Sequence, residues 1–226
     1  MGAGREETSK VRIHRELRRS IIMGHRKPNE RLDVQELARN YGSSITPVRD
    51  ALQMLAQEGL VTIKPRSGCF VTHVTLRELR DLYDLRLILE AAAAERAAQR
   101  ITDEQIAELR RVHSAGYTGD DEESYDRYTD ENRRFHYLVA EASGNHELAE
   151  TLGRLHDRLA RFMVLRHGGQ SQIETHARIT DALAARDPQA ARQAMIDEVI
   201  ASRDITLERV MQQESASWQI GAYKSR

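Results

Sequence analysis

Asn132 and His136 stand four residues apart in a predicted helix, so both side chains project from one face. His176 and Glu198 fall in two later predicted helices. Imidazole nitrogen and carboxylate oxygen ligate first-row divalent metals, and an amide oxygen does so more weakly. Spacing alone does not make these four a metal site, because a helical histidine is more often a surface or core residue. His14, His25, His113, His146, His156 and His167 have no partner at informative spacing and read as solvated. No dedicated nucleophile, general base or phosphate-cradling glycine loop accompanies the four, which argues against an enzyme.

A second group of residues suits a different chemistry. Asp33 to Leu60, reading DVQELARNYGSSITPVRDALQMLAQEGL, splits into two short amphipathic helices. Asp33 with Glu36 three residues on predicts a reciprocal cap, and Val34, Leu37 and Ala38 share one face. Gly42 supplies the backbone freedom of a tight turn. Ser44 can cap the second helix, whose first turn tolerates Pro47. Val48, Leu52 and Leu55 continue the buried stripe, leaving Ser44, Ile45, Thr46, Arg49 and Gln53 off it. Two such helices with a polar end on the second suit insertion into a DNA major groove. A helical hairpin that only packs against neighbours shows the same pattern.

The following residues narrow the choice. Leu60 to Lys64 alternates as a strand with Val61 and Ile63 on one side, residues 65–68 turn, and Cys69 to Thr72 returns. A hairpin with Arg66 at its tip, directly after the helix pair, is a wing whose arginine can reach phosphate or the minor groove. The carrying residues are Pro28, Arg31-Leu32, Glu36-Leu37-Ala38, Gly42, Thr46-Pro47-Val48-Arg49, Ala51-Leu52, Leu55, Glu58-Gly59-Leu60-Val61 and Gly68. Through them, residues 11–72 resemble the winged helix-turn-helix of the GntR family of bacterial transcription regulators.

That resemblance implies a double-stranded DNA operator as partner, faced by Gln35, Ser44, Ile45, Thr46, Arg49, Arg66 and the Gly68 backbone. The fork of Arg49 matches guanine O6 and N7, worth about 1–3 kcal/mol of base discrimination. Most relatives carry Arg where this chain has Ile45, and often Arg where it has Gln35. Isoleucine cannot hydrogen-bond a base edge, so the operator should differ from the family's common one at that base pair.

Composition agrees with this division of labour. The 226 residues carry a net charge of −1. Residues 1–73 hold 13 basic and 8 acidic side chains, a balance of +5, and the remainder holds 21 and 27, a balance of −6. A basic first third beside an acidic remainder is expected if only the first faces phosphate. No apolar run approaches a membrane span. The opening MGAGREETSK lacks the apolar core of a signal peptide and reads as a flexible tail. One cysteine, Cys69, suits a reducing cytoplasm and reads as packing in the wing.

The elements that must position these groups follow from capping and periodicity. Residues 11–23 read as a helix with Ile13, Leu17, Ile21 and Ile22 buried, completing a winged domain over 11–73 behind a tail at 1–10. Thr75 with Glu78 opens a long helix to about Arg100, its apolar face assigned to Leu79, Leu82, Tyr83, Leu87 (or Leu85), Leu89 and alanines. Thr102 with Gln105 opens the next, to about Ser114, before a loop at 116–121. Helices over 122–142, from Asn145 to about His167, from Ser171 to Ala185 and from Pro188 to about Gln213 follow, with a break at Gly168-Gly169. The fold class is mainly α: the winged domain, then an all-α six-helix bundle over 75–213. Residues 214–226 show no clear period and read as a tail.

DLYDLRLILE at 81–90, Phe135-His136, Gly144-Asn145 with Leu148, THARITDAL at 175–183 and DPQAARQAM at 187–195 occur in order. By these the bundle resembles the FCD ligand-sensing domain of the FadR branch of the GntR family. The resemblance implies a divalent metal (Zn, Ni, Mn or Fe) held by an Asp, a His four residues later, and two later His. Those positions fall on Asn132, His136, His176 and Glu198, so two of four depart from the pattern. His136, His176 and Glu198 still make a two-His, one-carboxylate set, and a metal-free polar pocket is the other form the family takes. Arg86 matches an arginine that in the family often points into this cavity. Its guanidinium can grip a small carboxylate or make an ordinary inter-helix salt bridge.

Together these imply a homodimeric, ligand-responsive regulator binding an inverted-repeat operator, with an organic acid as small-molecule effector. Two other classes compete with it. One is a metal-dependent enzyme built on His136, His176 and Glu198; the other is a winged module that docks protein rather than DNA.

Overall fold

The computed structural model describes residues 8–113, 122–166 and 173–223, in two compact units, Met1–Val74 and Thr75–Arg226. Residues 1–7 of the expected tail, the loop at 116–121, the Gly168-Gly169 break, His167 and the side chain of His113 lie outside what is described.

The first unit runs α1 (Ser9–Ile22), β1 (Arg31–Leu32), α2 (Val34–Asn40), α3 (Ile45–Gln57), β2 (Val61–Lys64) and β3 (Gly68–Val71). Its core joins Ile13, Leu17 and Ile21 of α1 to Leu37 of α2, Val48, Leu52 and Leu55 of α3, and Val61 and Val71 of the strands. Gly42, at φ +57°, makes the turn between α2 and α3 in a region other residues enter at a cost. The cap of α2 is one-sided: Asp33 Oδ1 accepts from the Gln35 and Glu36 amides at 2.9 Å each. Ser44 occupies the extended N-cap position of α3, but its side chain makes no capping bond.

The sheet is antiparallel in the order β1-β3-β2. The wing hairpin therefore gains a third strand, with Arg31 opposite Phe70, which the sequence pattern does not mark. Two residues are too short to show alternation. Val61 is buried but Ile63, on the same side of β2, is 43% exposed, because the hairpin runs outward past the edge of the core.

The second unit is built from α4 (Leu76–Ala98), α5 (Asp103–His113), α6 (Glu122–Ala142), α7 (His146–Arg166), α8 (Ile173–Ala184) and α9 (Pro188–Tyr223). The helix starts follow the local signals. Thr75 and Glu78 form a reciprocal capping box, as do Thr102 and Gln105. Asn145 Oδ1 accepts from the Leu148 amide, and Asp187 Oδ1 from those of Gln189 and Ala190. Gly144, at φ +76°, closes α6; a Cβ there would also meet Arg100 at 2.5 Å.

Two features differ from expectation. The buried face of α4 runs through Leu79, Leu82, Tyr83, Arg86, Glu90, Ala93, Ala94 and Ala97, while Leu85 is exposed and Leu87 and Leu89 are only partly covered. The 3.6-residue period thus carries two charged groups inward in place of the leucines. Second, the expected tail from 214 on is, through Tyr223, a continuation of α9. No proline interrupts it, and its residues are mostly neutral to favourable for helix. No described helix is long and apolar enough to cross a membrane.

Candidate functional site

The head presents its polar groups outward. Val48, Ala51, Leu52 and Leu55 bury one side of α3, so Ser44, Ile45, Thr46 and Arg49 at its N-terminal end are exposed. Gln35 in the first turn of α2 is exposed as well. Arg66 stands at the wing tip in left-handed conformation, φ +61°, followed by Gly68 at φ +114°. The expected recognition residues are therefore available to an outside partner. Cys69 is half-covered, and burial raises its thiol pKa, only partly opposed by Arg49. That keeps it protonated and unreactive. His14, expected to be solvated, instead meets the Glu58 carboxylate, which Arg18 also approaches, tying α1 to the end of α3.

The bundle does the reverse. At its centre five helices bring polar side chains together: Arg86 and Glu90 from α4, Asn132 and His136 from α6, His156 from α7, His176 from α8, and Glu198 and Ser202 from α9. All are buried. The expected set converges: ligand atoms of His136, His176 and Glu198 lie within 4.8 Å of one another. A second group with the same closeness shares one member: Glu90, His136 and His156. The Phe135 ring stacks on His176 at 3.9 Å between centroids, fixing that imidazole's plane.

Arg86 sits among these groups. Its Nε donates to Glu90 Oε1 at 2.7 Å, Nη1 to Ser202 Oγ at 3.2 Å, and Nη2 to Glu198 Oε2 at 2.9 Å. Nη2 also lies 3.1 Å from His136 Nε2. The salt bridge anticipated as one role for Arg86 is thus formed, on two carboxylates. Glu90 also faces both neighbouring imidazoles, with Oε1 at 2.7 Å from His156 Nε2 and Oε2 at 2.7 Å from His136 Nδ1. The latter contact is close but poorly aligned, so His136 Nδ1 makes no directed hydrogen bond.

Electrostatics follow from this packing. Burial works against a charged Glu90, but Arg86, then His136 and His156, outweigh it and hold the carboxyl well below its usual range. Burial likewise works against the Arg86 charge, and Glu90 and Glu198 overturn that, raising its pKa. Burial pushes His156 down to about 4 despite the attraction of Glu90. The donor set suits a divalent ion, since Asn132 Oδ1 is buried with no hydrogen-bond partner among the described residues and carbonyl oxygens without donors are costly unless something cationic meets them.

Glu90 and His156 were not anticipated as site residues, and the solvated reading of His156 is wrong. A signal existed. His156 falls with Leu152, Leu155 and Leu159 on the buried stripe of α7, and Glu90 lies one turn beyond Arg86.

Comparison with known proteins places both units. The gntR family model of bacterial regulatory proteins matches residues 9–71, and the FCD domain model matches residues 81–199. The Nta operon transcriptional regulator of Aminobacter aminovorans is 34% identical over 72% of this chain and 77% of its own. The HTH-type transcriptional repressor RspR of Escherichia coli is 28% identical over 91% of each. The solved structure of Escherichia coli McbR/YncC shares the fold at TM-score 0.72, with 24% identity, over 90% of this chain and 99% of that one.

Proposed function

Because the chain belongs to the GntR family of bacterial transcription regulators and carries an FCD domain, we propose a specific division of tasks for it. As a cytoplasmic homodimer it reads an inverted-repeat operator with Ser44, Ile45, Thr46 and Arg49, supported by Gln35, Arg66 and Gly68, and senses a small organic acid at the bundle centre. Relatives described as repressors support repression as the mode.

The observation that carries the sensing half is the buried charge. A helical bundle gains little stability from ionic groups at its core, because their desolvation offsets their attraction. Here a guanidinium, two carboxylates and three imidazoles occupy that core. Among these described residues, with imidazoles counted neutral, Arg86 against Glu90 and Glu198 leaves one negative charge. His136, His176 and Glu198 would hold a divalent ion, with Asn132 Oδ1 as a weaker fourth donor. Such an ion would supply Lewis acidity and open coordination positions for a ligand. The balance then becomes one positive charge, which a single carboxylate neutralises. Ligand and DNA are linked only through a difference in affinity between two arrangements of the protein, typically about 1–3 kcal/mol.

Selection of sites from random duplex DNA tests the reading half. The expected product is an inverted repeat differing from the family's common operator at the base pair beneath Ile45, with Ile45→Arg shifting the preference back. Recovery of no sequence above bulk DNA would overturn the DNA-reading role. Adding organic acids with a divalent ion should change affinity for the recovered operator, and no change across acids of every size would overturn the sensing role.

A further inference from the structure

We propose that Arg86 is the resident cation of the bundle centre, and that His136 and Glu198 are open to a divalent ion only when its guanidinium withdraws from them. The inference rests on the metal reading above and adds a competition that governs it.

The geometry is specific about which atoms compete. A neutral imidazole has one in-plane lone pair, on its unprotonated nitrogen. Of the two nitrogens of His136, Nδ1 lies 2.7 Å from Glu90 Oε2 and Nε2 lies 3.1 Å from Arg86 Nη2. A guanidinium N–H can only donate, so the Nε2 facing Arg86 Nη2 carries the lone pair, and Nη2 occupies it. The same Nη2 donates to Glu198 Oε2 at 2.9 Å. One nitrogen of Arg86 therefore stands over a donor atom of each of two expected ligands. An N–H and a metal ion cannot share the lone pair of Nε2, and two cations repel at that distance.

Arg86 has partners of its own to pivot on. Glu90 is met by Nε at 2.7 Å and more loosely by Nη2 at 3.5 Å, and Ser202 by Nη1 at 3.2 Å, neither of them an expected metal ligand. Because the guanidinium is rigid and planar, Nη2 leaves His136 and Glu198 only as the whole group tilts about these anchors, which frees both donor atoms and turns Nη2 toward a carboxylate. Loading with a divalent ion and gripping an organic acid would then be successive uses of the same movement.

Substitution of Arg86 separates competition from support. Arg86→Met removes the competing donor and leaves Glu90 and Glu198 without a cation. Arg86→Lys keeps the charge but has no fork to span Glu90, Ser202 and His136 together. Full-length wild type, both variants and His136→Ala/His176→Ala are stripped with chelator and titrated with Zn(II) and with Ni(II). Equilibrium dialysis reads affinity, and thermal unfolding reads the stability gained. Metal-free Arg86→Met should melt below wild type, bind at least about tenfold more tightly, and gain more in melting temperature on loading. Arg86→Lys should fall between, and decides the matter if the Met variant does not fold without metal. Binding by the Arg86 variants no tighter than wild type overturns the competition while the metal site stands. If neither wild type nor the Arg86 variants bind more tightly than the His136/His176 double variant, the metal reading fails and the competition with it.

Discussion

The DNA-reading head and the bundle centre handle polar side chains in opposite ways. In the head, apolar residues of α1, α2, α3 and the wing close an apolar core, and the groups proposed to read DNA stand outside it. In the bundle, alanines and leucines surround a core whose middle is ionic. An exposed arginine costs the fold almost nothing, so a recognition surface can be changed without touching stability. A buried arginine is held only by its partners, so in the bundle the groups proposed to sense are also groups that hold the structure.

The largest expected effect tests the bundle side of this contrast. Glu90→Ala deprives Arg86 of its Nε partner and His156 of its acceptor. Breaking one member of a buried ionic network costs about 3–5 kcal/mol, and urea unfolding of the metal-free protein should show it. A loss below the range for a surface substitution would mean that water reaches the cluster. Arg49→Ala is the counterpart in the head. It should weaken binding to the selected operator by about 1–3 kcal/mol and change unfolding free energy by no more than about 0.5 kcal/mol. Fluorescence anisotropy at several salt concentrations, beside the same unfolding assay, gives both numbers. A stability loss as large as the binding loss would erase the contrast.

What could be read in advance divides along the same line. The helix pair, the wing and the caps at Asp33, Thr75, Thr102, Asn145 and Asp187 are local, written in residues two to four apart, and were legible. His136, His176 and Glu198 could be grouped by family resemblance, although no spacing relates them. Glu90 and His156 stand 66 residues apart and each residue type is ordinarily solvated, so only their phase along α4 and α7 marks them, and nothing local pairs them. Leucine is the better core residue by type, so residue type favours Leu87 and Leu89 over Arg86 and Glu90. Phase along α4 decided otherwise. Alternation placed Ile63 beside Val61 correctly, but not how far β2 projects beyond the core.

A pH series separates the two regions more finely. His156 is held neutral at about 4 in the folded bundle, below the roughly 6.5 of an unfolded histidine. Between those values the unfolded chain binds the proton first, so stability is full above about pH 6.5 and falls as the medium is acidified toward 4. The lowered pKa of Glu90 acts in the same sense, starting below its unfolded value. From pH 7 to 5, His156 alone should cost the metal-free protein about 1–2 kcal/mol. Differencing wild type against His156→Gln isolates that share from other histidines. A variant as acid-sensitive as wild type would show that the imidazole is not kept neutral by burial.

The smallest effect compares like with like. Asp33 caps α2 through two amides, and Thr75 caps α4 through its reciprocal pair with Glu78. Alanine at either position should cost about 1 kcal/mol. The consequence differs, because the entropy of unfolding scales with the size of the cooperative unit. About 1 kcal/mol moves the midpoint of a 60–100-residue domain by roughly 4–8 °C and that of a 150–250-residue domain by roughly 2–4 °C. If the units melt separately, Asp33→Ala should lower the head's midpoint about twice as far as Thr75→Ala lowers the bundle's. Scanning calorimetry of both variants reads the ratio directly. Equal shifts in a single transition would mean that head and bundle unfold together, and that a change at the ionic centre reaches the recognition helix through shared stability as well as shared ligand.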